Sequence, residues 1–409
     1  MHAPRTVATG RTASPSTARR INDRIALQLL QSEGPLTASR LKSLTGLSRP
    51  TVADLVERLQ EAGLIAVVGE SGVERRGPNA RLYGIVADRA HLVGLDLRTH
   101  RATVAVADLL GRTRAERTVR ISPGTPEKRA VAATRKALDA ALRTAGAPGP
   151  HTLAVGAPGL VDPATGRLGG TDRLPAWHAG LIAALRARAA PVLLENEVNL
   201  AAIAEQRDGA ARDRDTFVLL WLGHGTGAAV ILDGRLRRGA SGGAGEIGFL
   251  PVPGTAALPS AHGCDGGFHS LAGSAAIVRL AAEHGITADG AGRNGDASPD
   301  DGAPPAEALV RAALADPAGG VFLDVLAAHI ALGAAAVSAV LDPGCVVLGG
   351  EIGRAGGTEL ADRVGAQLAR LSPLATEVRA GTAGGRGVLR GAVLAAMDAA
   401  QEELFACGG

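Results

Sequence analysis

Cysteine is scarce in this chain and a secretion signal is missing, and each absence excludes a class of protein. The three cysteines, Cys264, Cys345 and Cys407, are scattered and odd in number, which excludes a disulfide framework and fits a reducing compartment. We expect no apolar run long enough to span a bilayer, and the N-terminus lacks the apolar stretch of a signal peptide. These absences predict a cytoplasmic protein.

Length and charge distribution indicate more than one domain. At 409 residues, with 46% hydrophobic and 20% charged residues, the chain is too long for one compact core. Residues 1–90 carry 13 basic and 8 acidic side chains, whereas the remainder carries 30 basic and 32 acidic ones. Basic charge concentrated in the first fifth of the chain is typical of polyanion binding, although a solvated basic tail has the same composition.

Residues 21–88 have the pattern of a winged helix-turn-helix, and the tail before them (1–18) lacks apolar periodicity and is predicted to be disordered. Ile21, Ile25 and Leu29, joined by Ala26 and Leu30, predict the apolar face of a first helix that ends at Gly34-Pro35. Thr37 and Ser48 are suited to cap a second and a third helix on either side of Gly46. Two strand-like runs, 64–68 and 81–86, enclose a wing.

The predicted DNA contacts lie at the start of the third helix and at the tip of the wing. Residues at the N-terminus of such a helix reach base edges in the major groove, where Arg is the commonest reader of guanine. An arginine-tipped wing is thin enough to enter a minor groove. The predicted contacts are Ser48, Arg49, Thr51, Arg58, Arg75 and Arg76. A winged helix that binds protein, or a plain three-helix cap, is the alternative.

In residues 89–409 strands alternate with helices, and glycine turns follow the strand ends. This pattern predicts an α/β body that binds ligands at the carboxyl ends of its strands. Two carboxylates at Glu195 and Glu197, and the glycine-rich turn at 239–249, indicate a sugar site. The stretch between Thr287 and Pro305 is predicted to be a flexible loop. The body strands are expected at 91–97, 102–109, 152–157, 192–194, 216–222, 228–232 and 345–348, and helices at 127–144, 198–206 and 322–341.

Several motifs of the body resemble those of the ROK family of bacterial sugar kinases and repressors, over roughly residues 89–400. The resemblance implies an actin-like (ribonuclease H-like) α/β fold of two lobes, with sugar and, in the kinases, ATP bound in the cleft between them. The winged head (19–88) implies the regulator branch. The implied lobes are a small one, 89–198 completed by a C-terminal helix at about 388–406, and a large one, 199–387. The matching motifs are Val-Gly-Leu-Asp (93–96), Gly-Ala-Pro-Gly-Leu-Val-Asp-Pro (156–163), Leu-Pro-Ala-Trp (174–177), Glu-Asn-Glu (195–197), Gly-Thr-Gly (225–227), Asp-Gly-Arg-Leu-Arg-Arg-Gly-Ala-Ser-Gly-Gly-Ala-Gly-Glu-Ile-Gly (233–248) and Val-Leu-Gly-Gly (347–350).

Two departures from the family pattern predict that the chain is not an enzyme. The family binds ATP phosphate at two adjacent glycines after Asp-x, but Asp96-Leu97 is followed here by Arg98-Thr99, whose side chains take up that space. The catalytic Asp of the family is replaced by Glu197, which is one methylene longer. Because phosphoryl transfer depends on positioning, we predict no catalytic residue; a sugar kinase with residual activity and an accessory head is the alternative.

A structural zinc site of the family is also altered. Family members often bind Zn²⁺ through one His and three Cys, and Phe249 stands here at the His position. His262, Cys264 and His269 are weak replacement ligands at unusual spacing. We predict no metal and no cofactor, and a loop that packs around Phe249 and Phe268 instead.

By the same resemblance, a sugar effector would contact Asn196, Glu197, Glu246, Phe249 and His269. Carboxylates and amides suit sugar hydroxyls because each accepts or bridges several of their hydrogen bonds. The predicted function is a repressor of carbohydrate uptake or catabolism genes that binds double-stranded operator DNA as a homodimer or homotetramer and responds to a sugar or sugar derivative. A different small effector, or effector-independent DNA binding, is the alternative.

Overall fold

The computed structural model describes residues 15–71, 80–169, 174–260, 263–288 and 304–406. The predicted wing tip with Arg75 and Arg76, and the weak metal candidate His262, lie outside these ranges. The chain divides into two compact units: residues 1–92, 107–112 and 397–409 form the first, and residues 93–106 and 113–396 form the second. The last residues of the C-terminal helix, assigned to the small lobe from the sequence, thus belong to the first unit.

The head in the first unit is a winged helix-turn-helix, as predicted. Thr37 caps the second helix by accepting a hydrogen bond from the Arg40 N–H (3.2 Å), and Gly46 ends that helix with a left-handed φ of 71°. Three strands pair antiparallel in the order β1-β3-β2. The elements are α1 (Pro15–Ser32), β1 (Leu36–Thr37), α2 (Ala38–Thr45), α3 (Arg49–Glu61), β2 (Ile65–Ser71) and β3 (Ala80–Ile85).

The first helix differs from its prediction in both extent and orientation. It begins at Pro15, within the tail expected to be disordered. Of the predicted apolar face, Ala26 and Leu30 are buried, together with Asp23 and Leu27, whereas Ile21 and Ile25 are 50% and 40% exposed, so that part of the prediction is wrong. Burial of Asp23 on this face is compatible with its charge because Arg58 on α3 pairs with it.

The first sheet of the second unit has the strand order β6-β5-β4-β7-β8. Parallel pairing of β7 with β8 brings Ala157 level with Asn196, so both strands end at the same edge. Strand β6 was not predicted because it is mostly charged and buries only Ala115. The elements are β4 (His91–Arg98), β5 (Arg101–Asp108), β6 (Thr113–Arg120), α4 (Glu127–Thr144), β7 (Thr152–Ala157), α5 (Ala176–Arg186) and β8 (Val192–Asn196).

The second sheet has the order β11-β10-β9-β12-β13, with β9, β12 and β13 parallel and β10 and β11 antiparallel to their neighbours. Helices pack around it to form a core that contains Phe268, Phe322 and Ile330. The two sheets have the actin-like arrangement that the resemblance implied. The elements are α6 (Glu197–Asp208), β9 (Phe217–Leu222), β10 (Thr226–Leu232), β11 (Arg235–Arg237), α7 (His269–Ala272), α8 (Ser274–Glu283), α9 (Pro304–Ala315), α10 (Gly320–Leu341), β12 (Cys345–Gly349), α11 (Gly350–Leu371), β13 (Glu377–Ala380) and α12 (Gly387–Ala406).

Helix α10 corrects one expectation about hydropathy. With the turn before it, the segment Pro317–Leu341 is long and apolar enough to cross a membrane by length and composition, so the expectation that no run reaches that length is wrong. Half of its apolar window is buried inside the protein, and Phe322, Leu326 and Ile330 lie in the core of the second unit. A core helix of a globular domain has this burial.

Candidate functional site

The start of α3 presents a short polar surface on the head. Ser48 Oγ accepts a hydrogen bond from the Thr51 N–H (3.3 Å), so it caps the helix, and it lies 2.8 Å from Thr51 Oγ1. Arg49, the first residue of α3, is exposed. Of the predicted contacts at this helix end, Arg49 is the positively charged one, and its contact with a base stays a prediction.

Arg58 has a different environment from the other predicted DNA contacts. Its Nη2 lies 2.6 Å from Oδ1 of Asp23, a side chain only 1% exposed, and its Nη1 also bonds to Asp54. Burial raises the pKa of Asp23, and the hydrogen bond to Arg58 opposes that shift. The same bond raises the pKa of Arg58. The guanidinium of Arg58 therefore ties α3 to α1, and a DNA contact by Arg58 stays a prediction.

In the second unit, the Glu-Asn-Glu motif lies at the junction of β8 and α6. Asn196 caps α6 through Oδ1, which accepts from the N–H groups of Val198 (2.8 Å) and Asn199 (3.3 Å), while its Nδ2 donates to the Gly159 carbonyl (3.0 Å). These bonds fix the amide that the resemblance assigns to sugar binding. They also join the turn after β7 to the start of α6.

Glu197 is the unusual carboxylate of this junction. Its Oε2 atom is buried and has no hydrogen-bond partner among the described residues. Burial raises the pKa of Glu197 to about 7; the charge of Arg98 opposes the shift, and the charges of Asp96 and Glu246 add to it. An unpaired carboxylate among other carboxylates is costly unless a donor arrives. Glu197 is therefore suited to accept a hydrogen bond from a ligand hydroxyl.

The glycine-rich turn delivers Glu246 to the same place. Gly245 has a left-handed φ of +94°, and a Cβ on it would lie 2.0 Å from the carbonyl oxygen of Ala228. The Gly245 carbonyl in turn accepts from the Ala228 N–H at 2.7 Å, so glycine lets the turn lie directly on β10. Glu246 is exposed, yet desolvation by the surrounding protein raises the pKa of its carboxyl.

Phe249 and His269 lie on adjoining segments beyond this turn. A Cβ on Gly248 would lie 3.7 Å from the Cβ of His269, which brings the end of the turn against α7. Burial lowers the pKa of His269, as do the charges of His224 and Arg279, whereas Asp265 raises it. Phe249 is 39% exposed, so the expectation that the loop packs around it is wrong, and Phe268, fully buried, does that packing alone.

Arg98 is the residue that the sequence predicts to take up the space of a nucleotide phosphate. Its Nε lies 3.0 Å from Asp96 Oδ1 and 3.2 Å from Oδ2, and its Nη1 lies 3.5 Å from Glu351 Oε1. Burial acts to lower the pKa of Arg98, but the charges of Asp96, Glu351 and Glu197 outweigh it and raise that pKa. The guanidinium therefore occupies the strand end itself. Together with Trp221, Arg354 and Gly384, it lines a cavity of about 220 Å³.

No metal centre is formed by the residues that the structure describes. Across those ranges, groups of three or more His, Cys, Asp or Glu arranged to hold a metal ion are absent. Cys264 is half-buried and His269 faces the turn discussed above. The third weak candidate, His262, lies outside the described residues.

The architecture defines a class of protein: a winged helix-turn-helix head on an actin-like α/β body with a polar cleft. The family model for winged helix-turn-helix DNA-binding domains matches residues 19–66. The model for the ROK family matches residues 92–398. The chain belongs to the ROK family.

Individual relatives include both regulators and kinases. The N-acetylglucosamine repressor of Escherichia coli is 27% identical over 247 residues, which cover 57% of this chain and 58% of that protein. A solved ROK family transcriptional regulator, a homologue of the Escherichia coli MLC protein, superposes with a TM-score of 0.74 at 21% identity, over 95% of this chain and 98% of that one. The ROK hexokinase of Thermus thermophilus superposes with a TM-score of 0.59 at 28% identity, over 75% and 97%. The aligned region thus spans just under three fifths of the repressor.

Sequence reasoning missed three residues that shape these sites. Asp23 was not identified because a polar residue on a helix is normally assigned to the solvent face. The ring centroid of Trp221 lies 5.5 Å from the Arg98 guanidinium carbon. In the sequence, however, Trp221 looks like any other residue of a strand. Glu351 directly follows the matched motif at 347–350, and that adjacency was its only signal in the sequence.

Proposed function

We propose that this protein is a transcription regulator that represses genes of carbohydrate uptake or catabolism and senses a sugar or sugar derivative in its ROK domain. The observation that carries the proposal is the ion pair between Arg98 and Asp96 at the end of β4, in a chain that also contains a winged head. An arginine held at that strand end takes up the space that a nucleotide phosphate needs, so the domain binds its ligand without phosphorylating it. We place it in the cytoplasm as a homodimer or homotetramer.

The charges around the cleft indicate the class of effector. The charges of Asp96 and Glu246 act on Glu197, and one nearby cation, Arg98, is already paired with Asp96 and Glu351. Such a cluster would repel a phosphate group, whereas its carboxylates can accept hydrogen bonds from hydroxyl groups. We therefore favour an unphosphorylated sugar, bound through hydroxyl donors to Glu197 and Glu246.

Mapping the protein on its genome, followed by binding assays on the recovered sites, tests the proposal. We expect sites beside carbohydrate genes, and release from those sites by one member of a panel of free sugars but not by its phosphate. Uniform binding across the genome, or no response to any sugar, would count against a sensing regulator. ATP consumption with a sugar at the rate of an ordinary kinase would support the residual-kinase alternative.

Arg49→Ala is expected to weaken binding to a specific site by about 1–3 kcal/mol and to relax the preference at one base pair, because a base-reading arginine contributes that much. Binding measured on the mapped site and on single-base variants of it checks this. Ser43→Ala, at an exposed position on α2, is the control and should bind as the wild type does. An equal loss on random DNA would instead make Arg49 a phosphate contact.

Glu197→Gln is expected to stabilise the second unit at pH 8 but not at pH 5. The folded pKa of about 7 lies above the ordinary glutamate pKa of 4.5, so the stabilising contribution of the wild-type carboxyl is complete below about pH 4.5 and is lost as pH rises through 7. The amide avoids that loss. Thermal unfolding followed by the fluorescence of Trp177 and Trp221, both in the second unit, measures the difference.

The neighbouring carboxylate gives a matched control. Glu195 is fully bonded: Oε1 accepts from the Asn196 N–H (3.0 Å) and from Asn199 Nδ2 (2.8 Å), and Oε2 pairs with Arg238 at 2.6 Å. Glu195→Gln should therefore destabilise the unit at pH 8, opposite in sign to Glu197→Gln. The same sign for both variants would mean that Glu197 is not the unpaired group.

A further inference from the structure

One ion-pair cluster connects the two sheets of the second unit. Arg98 is the last residue of β4 in the first sheet, and its Nε is bound to both oxygens of Asp96 on the same strand. From there its Nη1 reaches Glu351, in the first turn of α11, at 3.5 Å. The face of the guanidinium lies over Trp221 of β9, 5.5 Å from the ring centroid. One side chain thus contacts a residue on each of the two sheets and a third residue on α11.

The pair between Arg98 and Glu351 is partly buried and closely packed. The side chains of Arg98 and Glu351 are 19% and 18% exposed, so the pair is less screened than one on the surface. A Cβ on Gly223 would lie 2.3 Å from Glu351 Oε2 and 3.0 Å from Trp221 Nε1. Glycine at that position lets Glu351 and Trp221 keep these places, whereas a larger residue would require the Glu351 carboxylate to move. On the near side, the Arg98 carbonyl is hydrogen-bonded to His178 Nε2 at 3.1 Å, which ties the strand end to α5.

We propose that Arg98 is an internal clasp: by bonding to Asp96 on one sheet and to Glu351 and Trp221 at the other, it holds the cleft closed without a bound nucleotide. Breaking the Glu351 arm shifts the domain toward an open form. The clasp adjoins the candidate effector site, since the charges of Arg98 and Glu197 act on each other. A ligand that bonds to Glu197 therefore changes the field at Arg98, and this coupling, which rests on the proposed function, links ligand binding to cleft closure.

Glu351→Gln tests the clasp without any ligand or DNA. The amide keeps the size of the side chain but removes its charge, so the Asp96–Arg98 pair stays and only the cross-cleft arm weakens. We expect amide hydrogen exchange in the full chain to become roughly threefold to tenfold faster at the end of β4 and in the first turn of α11. Raising the salt to about 1 M should speed exchange at these places in the wild type and leave Glu351→Gln nearly unchanged.

Glu307→Gln is the matched control. Glu307 Oε1 pairs with Arg354 at 3.0 Å in the same cavity and also with Arg311, but its partners lie on α9 and α11, on one side of the cleft. Its loss should leave exchange at the end of β4 at the wild-type rate. Equal exchange in wild type and Glu351→Gln, or equal acceleration by both variants, would overturn the clasp. Either result leaves the proposed regulator function standing, because that function is tested on DNA.

Discussion

Replacing Arg58 with alanine is expected to lower the free energy of unfolding of the head by about 3–5 kcal/mol, the cost of leaving a buried charge without its partner. Asp23, 1% exposed, loses its 2.6 Å contact with Arg58, and its Oδ2 already has no partner among the described residues. Burial raises the pKa of Asp23 even with Arg58 present. The loss should therefore be greatest at neutral pH and should shrink as acid protonates the carboxyl.

Hydrogen exchange in α1 and α3 measures this effect where it arises, and tryptophan fluorescence gives an internal control. Both tryptophans belong to the second unit, so their unfolding transition should not move. Arg49→Ala, on the same helix but exposed, should leave exchange in α1 unchanged while weakening specific DNA binding. Replacing Asp23 and Arg58 together with Leu and Met should recover most of the lost stability, because no buried charge is left. No recovery would mean that the stability of the head does not depend on this pair.

The head shows which parts of a fold can be predicted from local sequence. Its helix caps depend on residues within three positions of each other, and Thr37 and Ser48 were both identified. The orientation of α1 depends instead on a contact between residues 35 positions apart, Asp23 and Arg58. A hydropathy pattern treats Asp23 as a solvent residue and therefore favours Ile21 and Ile25, which are exposed. Burial of a charge is set by its partner, and local periodicity carries no information on that partner.

In the cleft, too, local features could be predicted from the sequence and long-range contacts could not. Strand ends and glycine turns were predicted because parallel strands leave their carboxyl ends at one edge, and the structure places Asn196 and Glu197 there. Arg98 was predicted to obstruct phosphate binding, because that inference requires only the position of Arg98 at the end of the strand. Its bond to Glu351, 253 residues away, could not be foreseen, because the direction of an arginine side chain depends on packing. The place of these residues at strand ends was therefore predictable, and their pairing was not.

Gly245→Ala is expected to destabilise the second unit by about 2–5 kcal/mol, from the strain of a left-handed alanine and the clash of its methyl group with backbone. The added Cβ would lie 2.0 Å from the Ala228 carbonyl oxygen, and strand β10 cannot move away because it pairs with β9 and β11 on its two sides. The turn must lift instead and carry Glu246 with it. Since Glu246 acts on Glu197, response to the effector should be lost along with stability.

Gly243→Ala, two residues earlier in the same turn, separates this geometric cause from a general intolerance of the turn to substitution. Its added Cβ would come no closer than 3.4 Å to its nearest neighbour, Ser241 Oγ, and its φ is not in the left-handed region. We expect its tryptophan-monitored unfolding to stay within about 0.5 kcal/mol of wild type, because the new methyl group makes only ordinary contacts. If both alanine variants unfolded alike, the close approach of Gly245 to Ala228 would not be what holds Glu246 in the cleft, and the effector site would need another anchor.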